Sequence, residues 1–351
     1  MATSGTVGTT VVNVAGLIEM AYRKCGVETG KITAEATLSA KRNLYAYLSN
    51  LANRGVNLWC IERTLCNLNL NSPFITLPNG TIDTLQVLYR TMTRYNTGSG
   101  SSSAGGNASF AFDGDVDTIC TQTSINGNIS FANASNVMIS TVGVLPGADS
   151  VYNLVFEVSQ DNVTWLEIQE FGEQTVVDNE WLWVDIAVPV TAPYARIRET
   201  GGTTLITREV YFGGNPNEIV MARISLDQYS NLPNKYFPGT PTQYYLDRQR
   251  LRPIINMYPV PTTVFALVSV WRHRMIQDVG ALTDEIEVPQ RWFQAIMYNL
   301  SLMLEEEKEQ IDLNRQQALQ LRADRASREA EMEERDKSPV MFAPNIRPYT
   351  A

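Results

Sequence analysis

The run Asn96 to Asn107, NTGSGSSSAGGN, contains no side chain that can enter a hydrophobic core. Such a stretch predicts a flexible linker over 96–107, and it separates two regions of different pattern. From Ala108 to Gly214 the segments VMISTVGVL, VYNLVFEVS, WLWVDIAVPV, YARIRET and LITREVYFG are divided by Gly, Pro, Asn and Asp, with no amphipathic helix among them. That spacing predicts a β-sandwich over 108–214, and Gly213 to Asn217, GGNPN, predicts the exit linker. Helical and mixed character resumes at 215, so the sandwich reads as an insertion into a domain built from 1–95 and 215–337. The expected class is α+β: a helical domain with β-hairpins and a long C-terminal helix, interrupted by an all-β sandwich.

Composition narrows what such a chain can do. Of its 351 residues, 28 are Lys or Arg and 37 are Asp or Glu, and the net charge of -9 disfavours broad adhesion to nucleic acid or anionic lipid. Cys25, Cys60, Cys66 and Cys120 form no CxxC pair, which predicts buried thiols in a reducing compartment rather than a zinc site or a disulfide framework. No basic region precedes Val11 to Ile18, and Phe131 to Ala148 is broken by polar residues, Pro and Gly; neither a signal peptide nor a membrane span is expected.

Within the flanks, Asn13 is placed to cap a helix whose apolar positions are Val14, Leu17, Ile18, Ala21, Tyr22 and Cys25, with Gly26 as its stop. A second helix from Thr33 to Arg54 is expected to bury Leu38, Leu44, Tyr45, Leu48, Leu51 and Ala52. Phe74 to Leu77 and Ile82 to Leu88 read as a hairpin around Pro78, Asn79 and Gly80. Ser225 and Gln228 suit a capping box. Strands are expected at Tyr244 to Leu246, Ile254 to Tyr258 and Val264 to Trp271. A helix from Pro289 to Lys337 would be on the order of 70 Å long. Its polar second half is expected either to be solvated or to pack on copies of itself. The tail 338–351, SPVMFAPNIRPYTA, should stay extended until a partner binds, with Met341, Phe342 and Tyr349 as anchors.

Catalytic patterns are scarce. His273 is the single histidine, it has no accompanying nucleophile motif, and the glycines of 98–106 lack the Lys-Ser/Thr ending of a phosphate cradle. No enzymatic activity is expected. Arg248, Arg250 and Arg252, near Asp247 in aromatic and proline-rich sequence, read either as an intrachain ion pair or as a subunit interface.

The segments NRGVNLWC, ARISLDQYSNLPNK, GTPTQYYLDRQRLRPIINMYPVP and VPQRWFQAIMYNLSLMLEEE, in that order, resemble the head-to-tail adaptor (connector) family of tailed bacteriophages, close to tail accessory factors. The resemblance implies a structural virion protein at the head–tail interface, assembled in the host cytoplasm. It would form a homo-oligomeric ring, a 12-mer, beneath the portal protein and carry tail or nozzle proteins. Genomic DNA would pass through the lumen without specific binding, and no membrane would be involved. The tail would then dock on the portal.

The inserted segment has a resemblance of its own: FAFDGDVDTICT, VFEVSQDNVTWLEI, APYARIRET and LITREVYFGG are similar to the discoidin (F5/8 type C) fold, which implies an all-β jelly-roll sandwich. That resemblance implies a structural Ca2+ held by Asp113, Asp115, Thr118 and Glu209, a mixed oxygen set of the kind a hard cation takes. It also opens an alternative function, binding of a glycan or a cell surface through the sandwich.

Overall fold

The computed structural model describes residues 12–54, 58–68, 72–95, 98–103, 105–250, 252–262, 266–308 and 310–334. Its helices are α1 (Val14–Lys24), α2 (Ala34–Arg54), α3 (Leu226–Ser230), α4 (Phe293–Glu306) and α5 (Leu313–Glu333). The strands before residue 150 are β1 (Ile61–Asn67), β2 (Phe74–Thr76), β3 (Thr81–Arg94), β4 (Gly98–Ser102), β5 (Cys120–Ile125) and β6 (Asn128–Pro146). They are followed by β7 (Ser150–Ser159), β8 (Trp165–Val176), β9 (Leu182–Glu199), β10 (Thr204–Val220), β11 (Ala222–Arg223), β12 (Gln243–Asp247), β13 (Ile254–Tyr258) and β14 (Leu267–Arg274). The chain divides into two units, one formed by residues up to Glu62 with those from His273 onward, the other by Arg63–Arg272.

The first unit is helical. The Asn13 side chain accepts the Gly16 amide at 2.8 Å and starts α1, while Gly26 follows it at φ 75°, a left-handed position glycine adopts without a Cβ clash. Along α2 the buried positions are Ala40, Leu44, Tyr47, Leu48, Leu51 and Ala52, a stripe spaced by three and four. Leu38 and Tyr45 fall off that stripe and are exposed, contrary to expectation.

The C-terminal helix is not one rod. It breaks between Glu306 and Leu313, where the Asp312 carboxylate accepts the Asn314 and Arg315 amides and starts α5 afresh. Arg315 Nη1 and Lys308 Nζ both donate to the Cys25 carbonyl at the C-terminus of α1, where cations are favoured. α5 packs against α4 and buries Leu319, Ala323, Ala326 and Ala330, small residues at helical spacing that let two backbones approach closely. That face is covered within the chain, while Leu313, Leu321 and Met332 of the same helix stay exposed.

The second unit carries two sheets. A ten-stranded sheet runs in the order β1-β14-β3-β10-β6-β9-β7-β8, with β4 on β6 and β5 on β10; a four-stranded sheet runs β11-β12-β13-β2. Phe131, Tyr152, Phe156, Ile197 and Phe212 fill the sandwich core, and Leu77, Tyr89, Tyr244, Met257 and Val268 fill a second core. No helix among the described residues is long and apolar enough to cross a membrane.

Three expectations for this unit change. The glycine-rich run is not a flexible linker in its described part: Gly98–Ser102 is a strand paired with β6 from Gly98↔Asn133 to Ser102↔Ile129. Glycine is used there for closeness, since a Cβ at Gly98 would overlap the Ala132 carbonyl and one at Gly100 would meet the Phe112 ring at 2.6 Å. The exit run GGNPN lies inside β10, which pairs with β3 at Gly213↔Arg94 and Gly214↔Thr93 and resumes after a bulge at Asn217↔Thr91. Asn215, at φ 50°, takes up the bulge. Finally, β2 pairs with β13 while β3 pairs with β10, so the turn at Pro78–Gly80 passes the chain between sheets instead of closing a hairpin.

Charges lock the sandwich to the strands beside it. Asp185 on β9 accepts Arg63 Nη1 at 2.7 Å, Arg90 Nη1 at 2.7 Å and the Thr141 hydroxyl at 2.8 Å. Arg63 also reaches Glu218 on β10 at 2.7 Å and Ser269 on β14 at 2.7 Å.

Candidate functional site

An open cleft of about 470 Å³ lies within the second unit. Phe74 and Asn67 contribute from β2 and the end of β1, Arg252 from the segment before β13, and Asn179, Glu180 and Trp181 from the turn between β8 and β9. That turn is preformed. Asn179 stands at φ 60° with its amide donating to the Pro146 carbonyl at 3.1 Å, and the Glu180 amide donates to the Val177 carbonyl at 3.1 Å. Asp178 is held on both sides, its amide by Asp149 Oδ1 at 2.8 Å and its carboxylate by Arg208 at 3.1 Å. Trp181 stacks on Trp183 with ring centroids 4.5 Å apart, and Trp183 sets its edge on Tyr211. Phe74 is 50% exposed. The cleft therefore joins two aromatic faces to amide, carboxylate and guanidinium groups, with the 178–180 turn fixed by hydrogen bonds of its own.

The three arginines expected to act together are separated. Arg252 lines this cleft, Arg248 pairs with Asp83 at 2.6 Å and not with Asp247, and Arg250 is exposed. Asp247 instead accepts the Gln249 side-chain amide at 2.7 Å. Met341, Phe342 and Tyr349 lie outside the described residues.

The residues expected to hold calcium are partly assembled. The Thr118 hydroxyl donates to Asp113 Oδ2 at 3.0 Å and to the Asp115 carbonyl at 2.9 Å, and the Asp115 amide donates to Asp113 Oδ1 at 2.9 Å. Glu209 is fully buried, with the Gly114 amide on Oε1 and the Arg94 guanidinium on Oε2. Both oxygens a cation would need are thus taken by donors, one of them a full positive charge. Among the described residues no three His, Cys, Asp or Glu side chains are grouped to hold a metal. The set does not fit calcium, because Arg94, arriving on β3, already supplies the cation.

Burial pushes the Glu209 carboxyl up to about 7 against the pull of Arg94, with Asp113 adding to the rise. The folded value lies above the ordinary 4.5, so the native state keeps a proton that the unfolded chain releases. Stability should therefore fall as pH rises from about 4.5 to about 7, by at most about 3 kcal/mol from this group. Melting curves between pH 5 and 8 check this. Glu209→Gln should flatten the slope, and an unchanged slope in that variant would contradict the assignment.

Comparison with known proteins adds structures but no family. No family model and no curated protein matches the chain. Among solved structures it is similar to the CpGH89 CBM32-5 module from Clostridium perfringens in complex with GalNAc-β-1,3-galactose, at 14% identity over 35% of this chain and 100% of that one, TM-score 0.32. The family 32 CBM of C. perfringens NanJ, in complex with galactose, is 16% identical over 35% and 100%, TM-score 0.32. Chitosan-binding module 1 of a chitosanase/glucanase from Paenibacillus sp. IK-5 is 20% identical over 34% and 97%, TM-score 0.29.

Proposed function

We propose that the chain is a carbohydrate-binding protein that holds its ligand in the cleft formed by Phe74, Trp181, Asn67, Asn179, Glu180 and Arg252. What carries this reading is the composition of that one cleft. A pyranose ring offers an apolar C–H face and a rim of hydroxyls. Two aromatic side chains suit the face, while amides, a carboxylate and a planar guanidinium suit the rim. The volume of about 470 Å³ falls in the range of small-ligand sites. Of the two functions expected from the sequence, the ring adaptor draws no support from this cleft.

A glycan array probed with the full chain tests the class of ligand. Calorimetry with a retained glycan then compares the wild type with Trp181→Ala and with Arg252→Ala, whose side chain is exposed. Each variant is expected to bind about tenfold more weakly or worse, a loss of about 1.4 kcal/mol. Retention of no glycan, or unchanged affinity in both variants, would overturn the proposal.

A further inference from the structure

The first unit holds an apolar groove of about 410 Å³ that neither the cleft nor the glycan reading uses. Val12, Leu17, Ile286, Val288, Phe293 and Ile296 line it, with Pro289 and Gln290 at the same wall. We propose that the chain's own C-terminal segment 338–351 lies in this groove, with Phe342 as its principal anchor.

The position of the last described residue supports this occupant. Glu334 ends the described chain, and its carboxylate is bound by Arg291 Nε at 2.6 Å, Arg291 Nη2 at 2.9 Å and Trp292 Nε1 at 3.4 Å. Arg291 and Trp292 directly follow Pro289 and Gln290 and directly precede Phe293, so Glu334 is tied to the same turn that supplies the groove's wall. An extended chain covers about 3.3 Å per residue, so 335–351 can span up to about 55 Å. The segment also has the matching chemistry: Val340, Met341, Phe342, Ile346 and Tyr349 are apolar or aromatic, Arg347 is its one charge, and Pro339, Pro344 and Pro348 lower the entropy lost on docking. Residues 1–11, MATSGTVGTTV, also adjoin the groove through Val12, but they contain no aromatic residue and Met1 is their one large apolar side chain. Because the tail is tethered next to its site, docking within one chain has a high effective concentration and is favoured over exchange between copies.

The test uses the full chain with a benzophenone amino acid in place of Phe342. It is irradiated, the monomer is isolated by sedimentation, and the cross-linked peptides are read by mass spectrometry. Intrachain links to the segment Ile286–Ile296 are expected. An apolar fluorescent dye serves as the second readout: deleting 338–351 should raise its binding, while deleting 1–11 should leave it unchanged. Links elsewhere, links only between chains, no links, or a dye response only to loss of 1–11 would each overturn the proposal.

Discussion

Asp185→Ala is expected to lower the stability of the Arg63–Arg272 unit by about 3 kcal/mol, the lower end of the cost of removing one partner from a buried ion pair. The reason is Arg90. Its side chain is 5% exposed, and Asp185 is its close counter-ion at 2.7 Å, with Glu218 more distant at 3.6 Å. Removing the carboxylate leaves the guanidinium of Arg90 buried beside that of Arg63, with like charges now facing each other. Arg63→Ala should cost much less, about 1 kcal/mol, because Arg63 is 30% exposed and its loss leaves the Asp185–Arg90 pair intact. Urea unfolding followed by tryptophan fluorescence measures both. Equal costs for the two variants, or a loss below about 0.5 kcal/mol for Asp185→Ala, would mean that this network does not tie the sandwich to its neighbours.

Gly214→Ala should be of similar size, about 3 kcal/mol, at the upper end of overpacking penalties. The added Cβ would overlap the Met138 carbonyl of the adjacent strand and sit 2.8 Å from the Tyr95 hydroxyl. The first of these is backbone, which cannot rotate away, so β10 and β6 would have to separate where the sandwich is joined. Gly30→Ala provides the control: nothing lies within 4 Å of its Cβ position, and its expected effect is within about 0.5 kcal/mol. Thermal unfolding distinguishes the two sites, and equal melting temperatures would refute the close approach at Gly214.

What could be read from the sequence was local. Asn13 and Ser225 form the caps they were expected to form, because a cap is decided by a side chain and an amide two or three residues away. The strands from Val137 to Gly213 follow from their β-branched and aromatic content, although WLWVDIAVPV and YARIRET merge into the single strand β9. Features set by distant partners were not legible. Nothing near Gly98 announces that its missing side chain makes room for the Ala132 carbonyl, so a paired strand looked like a linker. The break before Asp312 was missed although its cap is local, because the charged run from Glu305 to Asp312 carries no apolar period to show where one helix stops. In the candidate site, Arg252 stood out for its charge, but Phe74 and Trp181 did not, since one lies on β2 and the other in the turn before β9, far apart in sequence. The available signal was the pair of tryptophans directly after the DNE turn, Trp181 and Trp183, which begin a strand with more aromatic surface than one sandwich face requires.

The central claim is that a sugar occupies the cleft beside Trp181, and a crystal structure of the full chain with the best-retained oligosaccharide tests it most directly. The account predicts a pyranose ring against the Trp181 or Phe74 face, with its hydroxyl or carboxylate oxygens within hydrogen-bond distance of Arg252 and Asn179. A sugar bound elsewhere on the sandwich, with this cleft empty, would contradict it.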